Sequence, residues 1–408
     1  MLDFDIVREH LNNRKDDFRK YFHMRKIGRN RALELLDHMN KRDLLVRLIN
    51  EKNLGLNALE DYAYPSEEVN FKKFKLTEAP ALELLRNWQV IAVDGSQIYP
   101  DLHLSLFMAV INIGWITLLY NDSNTEYHSA SEPQLLTPSD FLDLNLGILR
   151  YSFKEHIDYI RLVGELQKAK ELAEASISSN KRTIIMLDGP IIFSFLEPRN
   201  KRYIEKFLTP LLELIEYCDR KGIYIIGYLA TSRSREVSNL LRYLFLCKYP
   251  WPRCNSCIEE HGGIYKIPCS ELINVTDVSL YGTYLNRNER SSVFLSRNRK
   301  ILDFYKHYKD KIGLFYIKDS NNKVSRIELP IFDWYSEKDL QDIANIVSAQ
   351  AKLGLGYPYA LLRAHEAAVI KSKDRELFYR ILDKFMYENF GIELKETPKR
   401  KYKRESII

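Results

Sequence analysis

Two apolar runs in this chain each lead into an acidic residue followed by glycine. Trp88-Gln89-Val90-Ile91-Ala92-Val93 precedes Asp94-Gly95-Ser96, and Thr183-Ile184-Ile185-Met186-Leu187 precedes Asp188-Gly189-Pro190. Short β-branched-rich runs closed by such a turn read as buried strands. A carboxylate just past the C-terminal end of a core strand is held by rigid backbone yet open at the sheet edge, where ligands of α/β sheets collect. If the two strands are neighbours, both carboxylates point at one place, and two close anions need a cation between them. Hard oxygen donors select Mg²⁺ or Mn²⁺. Two ordinary Asp-Gly turns are the plain alternative.

A third carboxylate weighs against that alternative. In the helix expected over 156–177, Leu162, Leu166, Ala169, Leu172 and Ala173 fall within one arc of about 120°, and Glu165 lies inside it. A carboxylate on an apolar face costs several kcal/mol unless it is paired or metal-bound. A metal shared with Asp94 and Asp188 would satisfy Glu165, and so would a salt bridge to a buried Lys or Arg. In the helix beginning near Gly356, His365 sits between Leu361, Leu362, Ala368 and Val369, on the inward side, with Tyr357 near the same face. A lone inward histidine is most often a satisfied core residue; beside Tyr357 it could contact a phosphate or a metal.

Four of the five cysteines lie within 23 residues, as Cys247-x6-Cys254-x2-Cys257-x11-Cys269, with His261 as a spare donor. The Cys-x2-Cys knuckle is an element of structural zinc sites, but the outer spacings fit no standard zinc pattern. Structural zinc, reduced thiols and an iron–sulfur cluster all stay open.

The elements that must position these groups alternate. Residues 1–60 read as helical and 61–74 as a connection. Strands are expected at 88–93, 102–113, 183–187 and 223–229, and helices at 138–152, 156–177, 201–220 and 235–246. A hairpin follows at 312–329, then helices at 337–353, 358–371 and 374–390. This is an α/β core whose strands end in acidic turns. The 408 residues are 45% hydrophobic, ample for a buried core, with a formal net charge of +6. Positive charge concentrates in Arg8–Arg31 and in Lys399–Arg404, which either attract phosphate or solvate a helix face and a tail. No apolar run approaches the roughly 20 residues needed to span a bilayer, and the charged N-terminus lacks a signal peptide. A cytoplasmic protein is expected.

Taken in order, these motifs resemble those of the NurA family. Asp94-Gly95-Ser96 is similar to its first motif, and Arg161–Glu165 with Met186-Leu187-Asp188-Gly189-Pro190 to its second and third. Ile226-Gly227-Tyr228 with Ser232–Val237, Asn288–Phe294, Phe315-Tyr316-Ile317, Arg326–Pro330, Gly356-Tyr357-Pro358 through Glu366, and Asp374-Arg375 continue the pattern. Each motif alone is weak, and the ordered set from about 85 to 385 is specific. There are departures: Pro190 stands where many members have Ser, and Ala230 where some place Lys, so Arg233 or Arg235 would supply the DNA-phosphate contact.

The resemblance implies an RNase H-like mixed sheet flanked by helices, to which the chain's own pattern adds a helical N-terminal extension and a cysteine-containing insertion. The corresponding division is 1–75, a nuclease domain 76–395 with the insertion at 247–275, and a basic tail 396–408. It implies an Mn²⁺- or Mg²⁺-dependent DNA nuclease, a 5′-to-3′ exonuclease with single-strand endonuclease activity, acting in DNA end resection and double-strand break repair. It further implies a homodimer that works with a hexameric HerA-type ATPase. Asp94, Glu165 and Asp188 then become metal ligands, and Tyr357 and His365 active-site partners. A catalytically inert DNA-binding scaffold of the ATPase is the competing expectation; an RNase H-like protein acting on RNA is a third.

Overall fold

The structure, a computed structural model, describes residues 2–38, 63–65, 71–100, 108–122, 124–141, 153–176, 181–247 and 254–392. The chain forms two compact units. The first comprises Met1–Ala79, Pro190–Glu197 and Gly227–Ser348, and the second Pro80–Gly189, Pro198–Ile226 and Ala349–Ile408. The described strands are β1 (Ala63–Pro65), β2 (Lys73–Lys75), β3 (Trp88–Ile98), β4 (Ala109–Tyr120), β5 (Thr125–Leu136), β6 (Arg182–Asp188), β7 (Tyr224–Leu229), β8 (Glu289–Ser291), β9 (Phe294–Ser296), β10 (Ile312–Lys318) and β11 (Val324–Pro330).

In the second unit, β3, β4 and β5 form an antiparallel meander, and β6 runs parallel to β3 on its other side. This is the mixed, RNase H-like sheet expected. Val90–Val93 and Ile184–Met186 are buried throughout, as strands covered on both faces must be. Their register sets Val93 opposite Leu187, which brings the next residues, Asp94 and Asp188, level with each other. Helix Phe153–Ser176 packs on β3 and β4 and buries Ile157, Leu166, Ala169 and Ala173. Helix Tyr359–Ala368 packs on the same two strands and buries Ala360, Leu361, Ala364 and Ala368, a face of mostly small residues that lets its backbone come close.

That closeness is greatest at Gly114, the partner of Asp94 across β3 and β4. A Cβ there would lie 2.2 Å from the amide nitrogen of Ala368 and 2.6 Å from the carbonyl carbon of Ala367. Backbone cannot yield as a flexible side chain can, so Gly114→Ala is expected to destabilise the protein by about 3 kcal/mol. A urea midpoint unchanged from wild type would show that the helix is free to move away.

Several expectations for this unit are corrected. β3 does not end at Val93; it continues through Asp94-Gly95-Ser96 to Ile98, because those residues stay paired with β4 as far as Val110. Asp94 is therefore a mid-strand residue. The strand expected at 102–113 is Ala109–Tyr120, with 101–107 outside the described residues. β5 was not anticipated. Of the helix expected at 138–152, residues 142–152 lie outside the described residues, and 138–141 form a single 3₁₀ turn.

In the first unit, the N-terminal helices Phe4–Asn13 and Lys15–His38 are present as expected. Ala32, Leu35 and Leu36 enter a core with Val237, Leu240, Tyr281 and Tyr316. The stretch 61–74, read as a connection, contributes β1, paired with β9, and the start of β2, paired with β8. β10 and β11 form the expected hairpin, β9 pairs with β10, and residues 227–229 pair with 326–328. Among the described residues no helix is long and apolar enough to cross a membrane. The basic tail lies outside the described residues.

Candidate metal centre

Asp94, Glu165, Asp188, Tyr357 and His365 all belong to the second unit, and the structure brings them together. Asp94 accepts the Gly95 amide at Oδ1 (2.8 Å) and contacts His365 Nδ1 through Oδ2 at 2.7 Å. Glu165 projects from the helix Phe153–Ser176 and pairs with the Arg161 guanidinium one turn earlier. Asp188, the last residue of β6, is hydrogen-bonded by the Tyr357 hydroxyl.

Crowding of these acids shows in their proton affinities. Burial, with the charges of Asp94 and Asp188 adding to it, pushes the Glu165 pKa up to about 7 against the opposing pull of Arg161. Burial also raises Asp188, again with Asp94 adding, while the Tyr357 hydrogen bond and His365 pull the other way. Three carboxylates that destabilise one another's charge in a half-buried site form an anionic cluster that a cation would relieve.

The supporting residues lie in the strand backbone and the last helices. Ser96 Oγ and Asn112 Nδ2 both donate to the Ala368 carbonyl, at 2.5 and 2.8 Å, and so fasten the end of the His365 helix to the sheet. Gln350 fastens its start: Oε1 accepts the Ala360 amide (2.9 Å) and Nε2 donates to the Tyr120 hydroxyl (2.8 Å). Tyr357 emerges from a tight turn in which Leu355 adopts a left-handed φ of 55°. Such a conformation costs a non-glycine residue about 1 kcal/mol. Gly354 permits it, since a Cβ there would meet the Tyr357 carbonyl oxygen at 1.9 Å.

Two sequence expectations need adjusting. His365 is not inward: its side chain is 58% exposed, because the buried stripe runs through Ala360, Leu361, Ala364 and Ala368 beside it. It stands at the rim and reaches Asp94 from there. Glu165 does have its partner, and in this structure that partner is Arg161, whose spacing of four residues along one helix was the available signal. Ser96 and Asn112 carried no signal, since their role depends on a carbonyl more than 250 residues away.

The donor set suits a hard divalent cation: three carboxylates from two neighbouring strands and a facing helix, with no sulfur among them. Their oxygens are at present turned toward His365, Arg161 and Tyr357. Among the described residues no three His, Cys, Asp or Glu side chains already converge on one point, so ion binding would require these side chains to reorient.

The remaining candidates belong to the first unit. Arg233 lines a cavity of about 530 Å³ together with Thr231, Ser232 and Lys300. Arg235 lines it too, but its Nη1 donates to the Ile273 carbonyl at 2.6 Å. Cys254, Cys257 and Cys269 are buried and Cys247 is half-buried. Burial raises the Cys257 pKa, and Cys269, Cys247 and Cys254 are near enough to raise it further. Cys257 Sγ is 3.8 Å from His261 Nδ1, and Arg242 Nη2 donates to Cys269 Sγ at 3.7 Å.

A family model described as the NurA domain matches residues 89–370. No curated protein matches the chain. Among solved structures, NurA with manganese is similar over 76% of this chain and 91% of its own, at 10% identity and a TM-score of 0.38. NurA bound to dAMP and manganese is similar over 75% and 88%, at 12% identity and a TM-score of 0.30. Drosophila Piwi is similar over 68% of this chain and 29% of its own, at 10% identity and a TM-score of 0.25.

Proposed function

We propose, from the premise that this chain belongs to the NurA family, that it is a metal-dependent DNA nuclease centred on Asp94, Glu165 and Asp188. The observation that carries this reading is the mutual electrostatic reach of the three carboxylates, one of them buried with a pKa raised to about 7. A purely structural role gives no reason to hold three like charges within electrostatic reach of one another. Asp94, Glu165 and Asp188 would hold Mn²⁺ or Mg²⁺. Once bound, the ion neutralises charge on the scissile phosphate and makes a bound water more acidic.

The chain's own residues do the rest. The Tyr357 hydroxyl orients the Asp188 carboxylate. His365 holds Asp94 through Nδ1, which leaves Nε2 for proton transfer to the leaving oxygen. Ser96 and Asn112 keep the His365 helix in place. Arg233 and Arg235 are proposed phosphate contacts, Arg233 from a cavity wall and Arg235 with its guanidinium anchored on Ile273.

The test is degradation of end-labelled single- and double-stranded DNA with Mn²⁺, Mg²⁺ or EDTA. Cleavage is expected with the divalent ions and none with EDTA. No cleavage with any metal, alone or with a hexameric HerA-type ATPase, would leave an inert DNA-binding scaffold. The family reading extends to 5′-to-3′ digestion, single-strand endonuclease activity, a homodimer, the HerA-type partner and a cytoplasmic role in end resection and break repair. The position of the label and cleavage of closed circular single strands check the first two.

For the cysteines we propose structural zinc, whose binding would have to draw the thiols together, since among the described residues no three His, Cys, Asp or Glu side chains already converge on one point. The segment that carries Cys257 and Cys269 rests on a small apolar cluster with Ile267 and Ile273, which a bound zinc would brace. Protein purified without chelator is expected to hold about one zinc per chain by elemental analysis. Zinc-free protein with an unchanged melting temperature would instead make the thiols core packing.

A further inference from the structure

The feature of this site that the proposed chemistry leaves unused is Arg161. Its guanidinium donates through Nη1 to Glu165 Oε1 and reaches the Gly95 carbonyl at 3.4 Å. The pair is largely withdrawn from solvent, with 27% of the Arg161 side chain and 16% of the Glu165 side chain exposed. It lies directly on the backbone of β3, next to Asp94. A Cβ on Gly95 would come within 2.5 Å of Glu165 Oε1 and 2.7 Å of Arg161 Cγ. Gly95 is thus the residue that lets this ion pair sit against the strand carrying the first acid.

Two further observations mark the pair as an exchangeable one. Arg161 Nε is buried and finds no hydrogen-bond partner among the described residues. An ion pair kept for stability in a half-buried place normally satisfies every donor, because each one left unmet costs free energy. A second anion also waits on the same helix. Asp158, three residues before Arg161, accepts hydrogen bonds from the Tyr99 hydroxyl (2.5 Å) and Gln97 Nε2 (3.4 Å), and Arg161 is close enough to influence Tyr99. A guanidinium leaving Glu165 has somewhere to go.

We propose that Arg161 is the counter-ion of the metal-free centre: a positioning residue that competes with the divalent metal for Glu165. The inference rests on the nuclease reading above and adds a control to it. Without metal, Arg161 pairs with Glu165 and holds it in place on its helix. Metal entry transfers Glu165 from the guanidinium to the ion, so the affinity of the site is set by the difference between the two partners. A guanidinium is more weakly hydrated than an ammonium and gives up less solvation in a half-buried ion pair, so arginine here sets a higher metal threshold than lysine would.

The experiment measures Mn²⁺ affinity directly, from the free-ion signal in electron paramagnetic resonance, on the full-length protein near pH 8. Arg161→Gln, Arg161→Lys and Asp94→Ala are compared with wild type. Removing the competing charge is expected to tighten Mn²⁺ binding by roughly tenfold in Arg161→Gln. Arg161→Lys should fall between that variant and wild type, and it carries the test if the glutamine variant does not fold. Asp94→Ala should lose the binding. Wild-type or weaker affinity in folded Arg161→Gln, or in Arg161→Lys if only that variant folds, would overturn the competition while leaving the nuclease reading intact. Absence of Mn²⁺ binding by wild type itself would overturn both. A merely structural arginine would lower affinity on removal, and one acting through its charge alone would leave Arg161→Lys at wild-type affinity; a competitor raises it in both variants.

Discussion

Asp94→Ala should abolish metal-stimulated DNA cleavage, by at least about a thousandfold, while leaving the protein folded. Asp94 acts on both of the other acids: its charge raises the pKa of Glu165 and of Asp188. On the proposed reading, the centre would lose the acid coupled to both other ligands. The same crowding makes the substitution benign for the metal-free fold, since alanine removes a repulsive charge from a strand otherwise secured by the ladders to β4 and β6.

Proton linkage sharpens this expectation. In the unfolded chain a glutamate loses its proton near its ordinary value of 4.5, whereas folded Glu165 keeps it to about 7. Between those values the folded state binds more protons, so stability falls as pH rises through that window. The loss is at most on the order of 3 kcal/mol. Urea midpoints measured with chelator at pH 5 and pH 8 should show that decline in wild type and a smaller one in Asp94→Ala. Mn²⁺ should restore wild-type stability at pH 8 and do nothing for the variant. A variant that retains cleavage within tenfold of wild type would remove Asp94 from the centre.

How far the sequence discloses this site depends on the range of the interactions. The strands that carry Asp94 and Asp188 are apolar throughout, so their burial is visible in their composition, and so is the stripe of the helix that carries Glu165. β5 is different: TEYHSASEPQLL is exposed along nearly its whole length and presents no buried face to read. Gly95 misled in another way. Glycine inside a run suggests a turn, yet here the strand continues and the missing Cβ makes room for Glu165 and Arg161. β11 shows the same limit. VSRIELP alternates like a half-exposed hairpin, but all seven of its residues are buried. What satisfies the charge of the buried Arg326, besides Glu328, is Glu236, ninety residues earlier in the chain, and no local pattern announces such a partner.

That buried network supports the second large effect: Arg326→Met should cost about 3–5 kcal/mol. The Arg326 side chain is 3% exposed and each of its three nitrogens donates a hydrogen bond. Nε donates to Glu328 Oε1 (2.7 Å), Nη2 to Glu236 Oε1 (2.5 Å), and Nη1 to Ser234 Oγ (2.6 Å) and the Tyr316 hydroxyl (3.2 Å). The carboxylates are as fully engaged. Glu328 Oε2 accepts the amides of Ile191 and Ile192, both at 2.8 Å, and Glu236 Oε2 accepts the Ser296 hydroxyl at 2.6 Å. Methionine fills similar volume but leaves two buried carboxylates facing each other with no cation, and that uncompensated charge produces the loss. Adding Glu236→Gln and Glu328→Gln to Arg326→Met should therefore recover much of the stability, because each amide keeps an acceptor oxygen for Ser296, Ile191 and Ile192 without the charge. Urea midpoints of the single and triple variants decide the matter. If the triple variant is no more stable than the single one, the cost lies in lost packing around the guanidinium and not in the stranded carboxylates.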